Sequence, residues 1–242
     1  MILRSTIVCI SLLLLWQFII LIFHIPSYIL PGPYLVWQAF IKNGYILAIQ
    51  TWPTVIETLL GFLLGSLVGV FVALLLIWIK PLRYWLLPIL IISQAIPTFA
   101  IAPLLVIWFG YGLASKIITT MIMIFFPVTS YFYDGLRRIP PEWLDMANIM
   151  KGKSWQILWR IRIPAALPAL ASGLRVAAVF APIGAIVGEW VGASQGLGFL
   201  MLNANARLQL DMMFAALLII IVFALLLYFI VDRVLHKLIF WH

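Results

Sequence analysis

Charge and cysteine are what this sequence has least of. Asp, Glu, Lys and Arg together make up 9% of its 242 residues, where a soluble domain carries about 25%, so water is not the solvent it is built for. Cys9 is the single cysteine and sits in the first apolar run, which excludes a disulfide framework and a cysteine zinc site. The three histidines, His24, His236 and His242, make no His-Glu-x-x-His pair, and no nucleophile elbow is present. Gly152-Lys153-Ser154 has the last three residue types of a phosphate-binding loop, but Ala147 stands where its first glycine belongs and no strand precedes it. No active site, metal site or cofactor is expected on this chain.

What is present is hydrocarbon. Hydrophobic residues make up 66% of the chain and mean hydropathy is +1.19. Apolar runs at about 6–23, 54–79, 86–109, 117–133, 169–190 and 212–231 approach the roughly 20 residues that cross a bilayer core about 30 Å thick. They predict an all-α, polytopic protein with six transmembrane helices in a single domain over 1–242. The first run is expected to be an anchor, because His24-Ile25-Pro26-Ser27 offers no convincing small-residue cleavage site.

The net charge of +8 is scattered between apolar runs rather than gathered in a stripe, which argues for topology and against nucleic acid. With the N-terminus inside, Arg4, Lys80, Arg83, Arg137, Arg138, Lys151, Lys153, Arg160, Arg162, Arg175, Arg233 and Lys237 fall on or near the cytoplasmic side. Only Lys42, Lys116 and Arg207 fall outside. That bias predicts both termini in the cytoplasm.

Several features inside the runs could be packing or function. Gly61, Gly65 and Gly69, and again Gly184, Gly188 and Gly192, recur every four residues, a spacing that lets helix backbones approach closely, within one subunit or at a dimer face. Pro88, Pro97 and Pro103 crowd the third run and Pro182 sits in the fifth, as in kinked helices that line a pathway, although kinks without transport function are common. Glu57, about one turn inside the outer end of the second span, and Glu189, at the outer end of the fifth, are the acids within the runs. An unpaired charge in hydrocarbon costs at least about 2.5–3.5 kcal/mol, so each is a pathway or gate candidate; the plainer reading has them snorkel to the interface or pair with a helix N-terminus.

The longest polar stretch, about 134–164, opens a helix at Pro140-Pro141 with Glu142 and Asp145 at its positive end. Trp143, Met146, Ala147 and Met150 fall on one face of it, and such a face in water needs a partner. This loop resembles the EAA motif of binding-protein-dependent importer permeases: Asp145-Met146-Ala147 matches its first three positions and Ile161-Arg162-Ile163-Pro164 its end, at full spacing. Lys151 stands where the family has glycine, and Gly152 comes one residue late. The resemblance extends through Trp108-Phe109-Gly110-Tyr111-Gly112, Gly188-Glu189-Trp190-Val191-Gly192 and Gly196-Leu197-Gly198. It is nearest to the branch of nitrate, sulfonate, taurine and thiamine-pyrimidine permeases.

What the resemblance implies is a type I ATP-binding-cassette importer fold in a bacterial inner membrane. Two permease copies, expected as a homodimer, would surround a pathway for a small polar organic solute. Two ATPase subunits would hold ATP and Mg, and an extracytoplasmic binding protein would deliver the solute. Glu142, Trp143, Asp145, Met146, Ala147, Met150, Lys151 and Gly152 would form the coupling segment that docks on the ATPase. An ion-coupled carrier or channel is the alternative, but neither requires a bulky cytoplasmic loop and no internal repeat is seen. A membrane enzyme would need titratable groups converging at one depth, and only Glu57 and Glu189 are available.

Overall fold

The computed structural model describes residues 2–239, and every regular element in that range is a helix. Arg4 and Lys80, two of the expected inner cations, have side chains outside the described set, as has Cys9. In chain order the helices are α1 (Ile2–Phe23), α2 (Pro33–Lys42), α3 (Gly44–Trp78), α4 (Lys80–Ala95), α5 (Thr98–Phe109) and α6 (Leu113–Arg137). They continue with α7 (Pro141–Ile149), α8 (Ser154–Ile157), a π-helical turn (Leu158–Arg162), α9 (Ile163–Gly192), α10 (Leu197–Ala206) and α11 (Leu210–Leu238). Proline starts several of them, at Pro33, Pro81, Pro141 and Pro164, where its missing N–H has no intrahelical partner to lose.

Four helices among the described residues are long and apolar enough to cross a membrane, and a fifth crossing results if α4 and α5 count as one broken span. In α1, the stretch Ile10–Phe23 is apolar but shorter than the other four. The expected third span, 86–109, is thus corrected from one helix to two, bent by 100°. The bend falls at Pro97, which lacks an N–H, after Ile96 in the extended conformation (φ −83°, ψ 118°) that a residue before proline favours. Two other boundaries move outward: α3 starts at Gly44, ten residues before the expected 54, and the expected outer segment 191–211 holds α10.

The glycine stripes explain the core. A Cβ on Gly61 would lie 2.5 Å from Thr120, on Gly65 2.6 Å from Ile124 and on Gly69 2.8 Å from the Phe125 carbonyl. From the other side, Gly184 would meet the Thr120 Cα at 2.8 Å and Gly188 the Lys116 Cα at 3.0 Å. Both stripes therefore clamp α6 between α3 and α9, so they pack within the subunit. Lipid tails supply no hydrophobic drive between helices, and this close van der Waals approach takes its place. Ala177, Ala178, Ala181 and Ala185 keep α9 thin at the same contact, all fully buried. A second tie is polar: Arg175 of α9 donates to Asp232 of α11 at 2.6 Å.

Candidate functional site

At one end of the bundle α7 stands out from the spans. Its start is built from Pro141 with Glu142 in the first turn, which the positive end of the helix dipole favours. Its end is a Schellman turn: Gly152 N–H donates to the Ala147 carbonyl at 2.9 Å and Lys151 N–H to that of Asn148 at 2.9 Å. Lys151, at the family's glycine position, holds φ +54°. The left-handed turn is thus kept without its usual residue, which costs a non-glycine roughly 1 kcal/mol. Gly152 stays glycine for a different reason, since a Cβ there would sit 3.0 Å from the Ala147 carbonyl.

Lys151→Gly is therefore expected to slow hydrogen exchange at the α7 amides several-fold, a gain of about 1 kcal/mol. Lys151→Val, β-branched in the same conformation, should accelerate it. Equal exchange in both variants would refute the strain.

The apolar face of α7 is uncovered: Trp143 is 54% exposed, Met146 66%, Ile149 81% and Met150 79%. Ile149 was not among the expected face residues, although it lies three positions after Met146, on the same side. Ala147 departs from the expected face in the other direction. It is buried at the back of the helix, where its carbonyl holds the Schellman turn. Following α7 in the chain, Trp155 packs between Trp78 at the end of α3 and Trp159 in the π turn, ring centroids 5.2 Å apart in each pair. Arg162 reaches from the π turn to the Leu136 carbonyl at the end of α6, 3.3 Å away. A π turn is rare and tends to mark functional places; here it joins the α7 loop to α9.

Toward the opposite end, three charges share the interior. Glu57 and Glu189 are buried to 0% and 1% exposure, and Lys116 to 3%. Lys116 Nζ lies 3.0 Å from Glu57 Oε1. Glu189 accepts from Thr54 Oγ1 at 2.6 Å and from the Gly198 N–H. Thr54 Oγ1 in turn accepts from Leu197 N–H at 2.8 Å, and Gln50 Oε1 from Gly196 N–H at 2.6 Å. The N–H groups of Gly196, which caps α10, and of Leu197 and Gly198, its first two residues, are thus satisfied by side chains of α3 and α9, with a carboxylate at the helix's positive end. Gly196 holds φ +116°, and a Cβ there would strike the Glu189 carboxyl.

Of the two plainer placements, pairing with a helix N-terminus is what Glu189 does at the start of α10, and snorkelling is corrected. Neither acid snorkels, because α3 begins far enough before Glu57 to carry it roughly 20 Å along the helix at 1.5 Å per residue. Lys116 is an interior partner rather than an outer surface cation. Gln50 and Thr54 were not singled out from the sequence, and Lys116 was placed among the outer cations, because a lysine four residues after Gly112 at the head of an apolar run reads as an interfacial anchor.

Glu57 and Glu189 line neither of two large cavities in the described residues. One, of about 900 Å³, lies among α2, α10 and α11, with Gln38, Lys42, Asn203 and Arg207 in its wall. The other, of about 650 Å³, lies between the α7 loop and α9, with Arg138, Trp143 and Arg160. Chemically the buried cluster is a clasp of ionisable groups and hydrogen-bond donors, and among the described residues no trio of metal-ligating groups is found.

Residues 61–239 match the family described as binding-protein-dependent transport system inner membrane component. The chain is 53% identical over 226 residues to a probable ABC transporter permease protein of Haemophilus influenzae, covering 93% of this chain and 92% of that one. It is 33% identical over 198 residues to the formylaminopyrimidine transport permease protein ThiX of Halalkalibacterium halodurans, covering 81% and 79%. Among solved structures, an inward-facing MetNI methionine ABC transporter chain superposes with a TM-score of 0.70 at 21% identity, covering 81% of this chain and 97% of that one.

Proposed function

The chain belongs to the family of binding-protein-dependent transport system inner membrane components, permeases of ABC importers, and from that premise we propose that two copies of it surround a solute pathway driven by a separate ATPase. The observation that carries this reading is the uncovered face of α7. Trp143, Met146, Ile149 and Met150 present apolar surface at an end of the bundle rich in Arg and Lys, where water rather than lipid is the alternative contact. A groove on each of two ATPase subunits would bury it. Glu142 and Asp145 flank that face, and the Lys151–Gly152 turn sets the angle at which the chain returns through the π turn to α9. Movement of α7 then reaches α9 and, through Trp155 and Trp78, α3.

Six crossings follow if α1 is the first and the bent α4–α5 pair the third, with both termini in the cytoplasm of a bacterial inner membrane. Removing Lys116 from the outer count leaves only Lys42 and Arg207 there, which supports that orientation. An extracytoplasmic binding protein would deliver a small polar organic solute, a thiamine-type pyrimidine ahead of a sulfonate, taurine or a nitrate-like ion. Glu57, Glu189 and Lys116 hold α10 in register rather than touching solute. ATP and Mg belong to the partner ATPase.

Reconstitution tests this directly. Vesicles holding the chain with the ATPase and binding protein encoded beside it should take up solute only when ATP is enclosed and the binding protein is present. Uptake by the chain alone, driven by an ion gradient, would overturn the reading in favour of a secondary carrier. Calorimetry of the binding protein orders the solutes: tight binding of an alkanesulfonate with none of a pyrimidine would reverse the preference.

A further inference from the structure

The break between α4 and α5 is costly in hydrocarbon, and its cost says where it faces. At Ile96 no N–H closes the end of α4, Pro97 has none to give, and the Ala100 N–H turns back to the Pro97 carbonyl at 2.9 Å. The carbonyls of Ile92, Ser93, Gln94 and Ala95 therefore receive no backbone N–H from the residues that follow. Their depth follows from packing. Leu90 packs with Leu76 and Leu136 at the end of the bundle that carries α7, whereas Val106 meets Gly192 at the opposite end. The twelve residues of α5 span about 18 Å at 1.5 Å each, too short to cross a core about 30 Å thick, which leaves the break inside that core.

Backbone groups left open at that depth cost several kcal/mol each against lipid, and are tolerated only where protein or a water-filled cavity meets them. The chain's other helices do not cover this stretch: Gln94, Ala95, Ile96 and Pro97 are all exposed, and Ser93 and Thr98 half-buried. Gln94 adds a side-chain amide, whose two donors and one acceptor are as unwelcome in lipid as the carbonyls.

We propose that this break is the solute-contacting stretch of the pathway, with the Gln94 amide and the carbonyls of residues 92–95 forming a polar step inside the membrane. The inference rests on the permease reading and adds a chemical class to it. Four carbonyls and one amide suit a small uncharged solute that offers N–H or O–H donors, such as an amino-substituted heterocycle. A bare oxyanion would face carbonyl oxygens and gain only the amide.

Labelling tests the placement without any need for transport. In the assembled complex, with Cys9→Ser removing the native thiol, a membrane-impermeant charged methanethiosulfonate should modify Gln94→Cys at least tenfold faster than Ile107→Cys, an exposed α5 position one helix turn from the outer loop. Equal, slow labelling would put the break against lipid, and a disulfide between two copies without labelling would put it under the second subunit; either overturns the proposal. Uptake supplies the second arm: Gln94→Leu should lower it at least tenfold in a complex assembled at wild-type yield, and Gln94→Asn should restore most of it. Normal uptake by Gln94→Leu also overturns it. If wild type shows no ATP-driven uptake while Gln94→Cys labels fast, it is the permease reading that fails and the water-facing break that stands.

Discussion

Lys116→Met is expected to leave little folded protein in the membrane. The substitution keeps length and apolar bulk but removes the only described cation beside Glu57, 3.0 Å from its carboxylate. Breaking a buried ion pair in this way costs about 3–5 kcal/mol, because the partner charge is left uncompensated. Here the loss is compounded, since Glu189 stands by Glu57 and already serves two roles: it accepts from Thr54 and caps α10 by accepting from the Gly198 N–H. A total stability of 5–15 kcal/mol leaves small room for that loss. Monodisperse yield from detergent-solubilised membranes should fall at least tenfold and the melting temperature of what remains should drop by several degrees. The double variant Glu57→Gln/Lys116→Met, which removes both charges of the pair, should recover part of both. Lys42→Met, at an exposed cation, should change neither. A Lys116→Met protein that melts as wild type does would show that the cluster is solvated and that the clasp account is wrong.

The second large effect separates docking from folding within α7. Met146 is exposed and makes no contact needed for the loop, so Met146→Glu should insert and fold normally yet lose the ATPase. Truncating a well-packed interface anchor costs about 2 kcal/mol or more, roughly thirtyfold in affinity, and a buried carboxylate adds its desolvation. ATP-driven uptake should therefore fall by more than tenfold at wild-type expression. Ala147→Glu is a different experiment. Ala147 is buried and its carbonyl accepts from the Gly152 N–H of its own loop, so a glutamate there disrupts the α7 turn before it reaches any partner. Hydrogen exchange distinguishes them: α7 amides should stay protected in Met146→Glu and open in Ala147→Glu. Protected amides in both, with uptake lost only in Ala147→Glu, would place the docking surface on the other side of the helix.

The parts of the fold legible in the sequence are those where composition alone decides. Long, mostly apolar runs mark α6, α9 and α11, and glycine every fourth residue marks the two faces that clamp α6. The short helix at Pro141 is legible from its proline and acids. Boundaries set by tertiary packing were not legible: Gln50, Thr51 and Pro53 look like a connection, yet they continue α3, because Gln50 and Thr54 are needed where α10 begins. The third span carries Pro88, Pro97 and Pro103, but only Pro97 ends a helix. The residue type is the same at all three, and which carbonyls can go unpaired depends on what lies beside them. Lys116 was misplaced for a related reason. A lysine near a span end snorkels if water is within reach, and here α3 and α9 close over it.

The central claim is that α7 is the point where this chain meets an ATPase, and proximity tests it more directly than any activity. With Cys9→Ser and Met146→Cys, a short thiol-reactive photo-crosslinker attached at 146 in the assembled complex should join the permease to the ATPase subunit, and peptide mapping should place the joint in a surface groove of that subunit. The same probe on Lys42→Cys, at the other end of the bundle, should not. An adduct from position 42 with none from 146, in complexes of equal composition, would contradict both the docking site and the orientation of the chain.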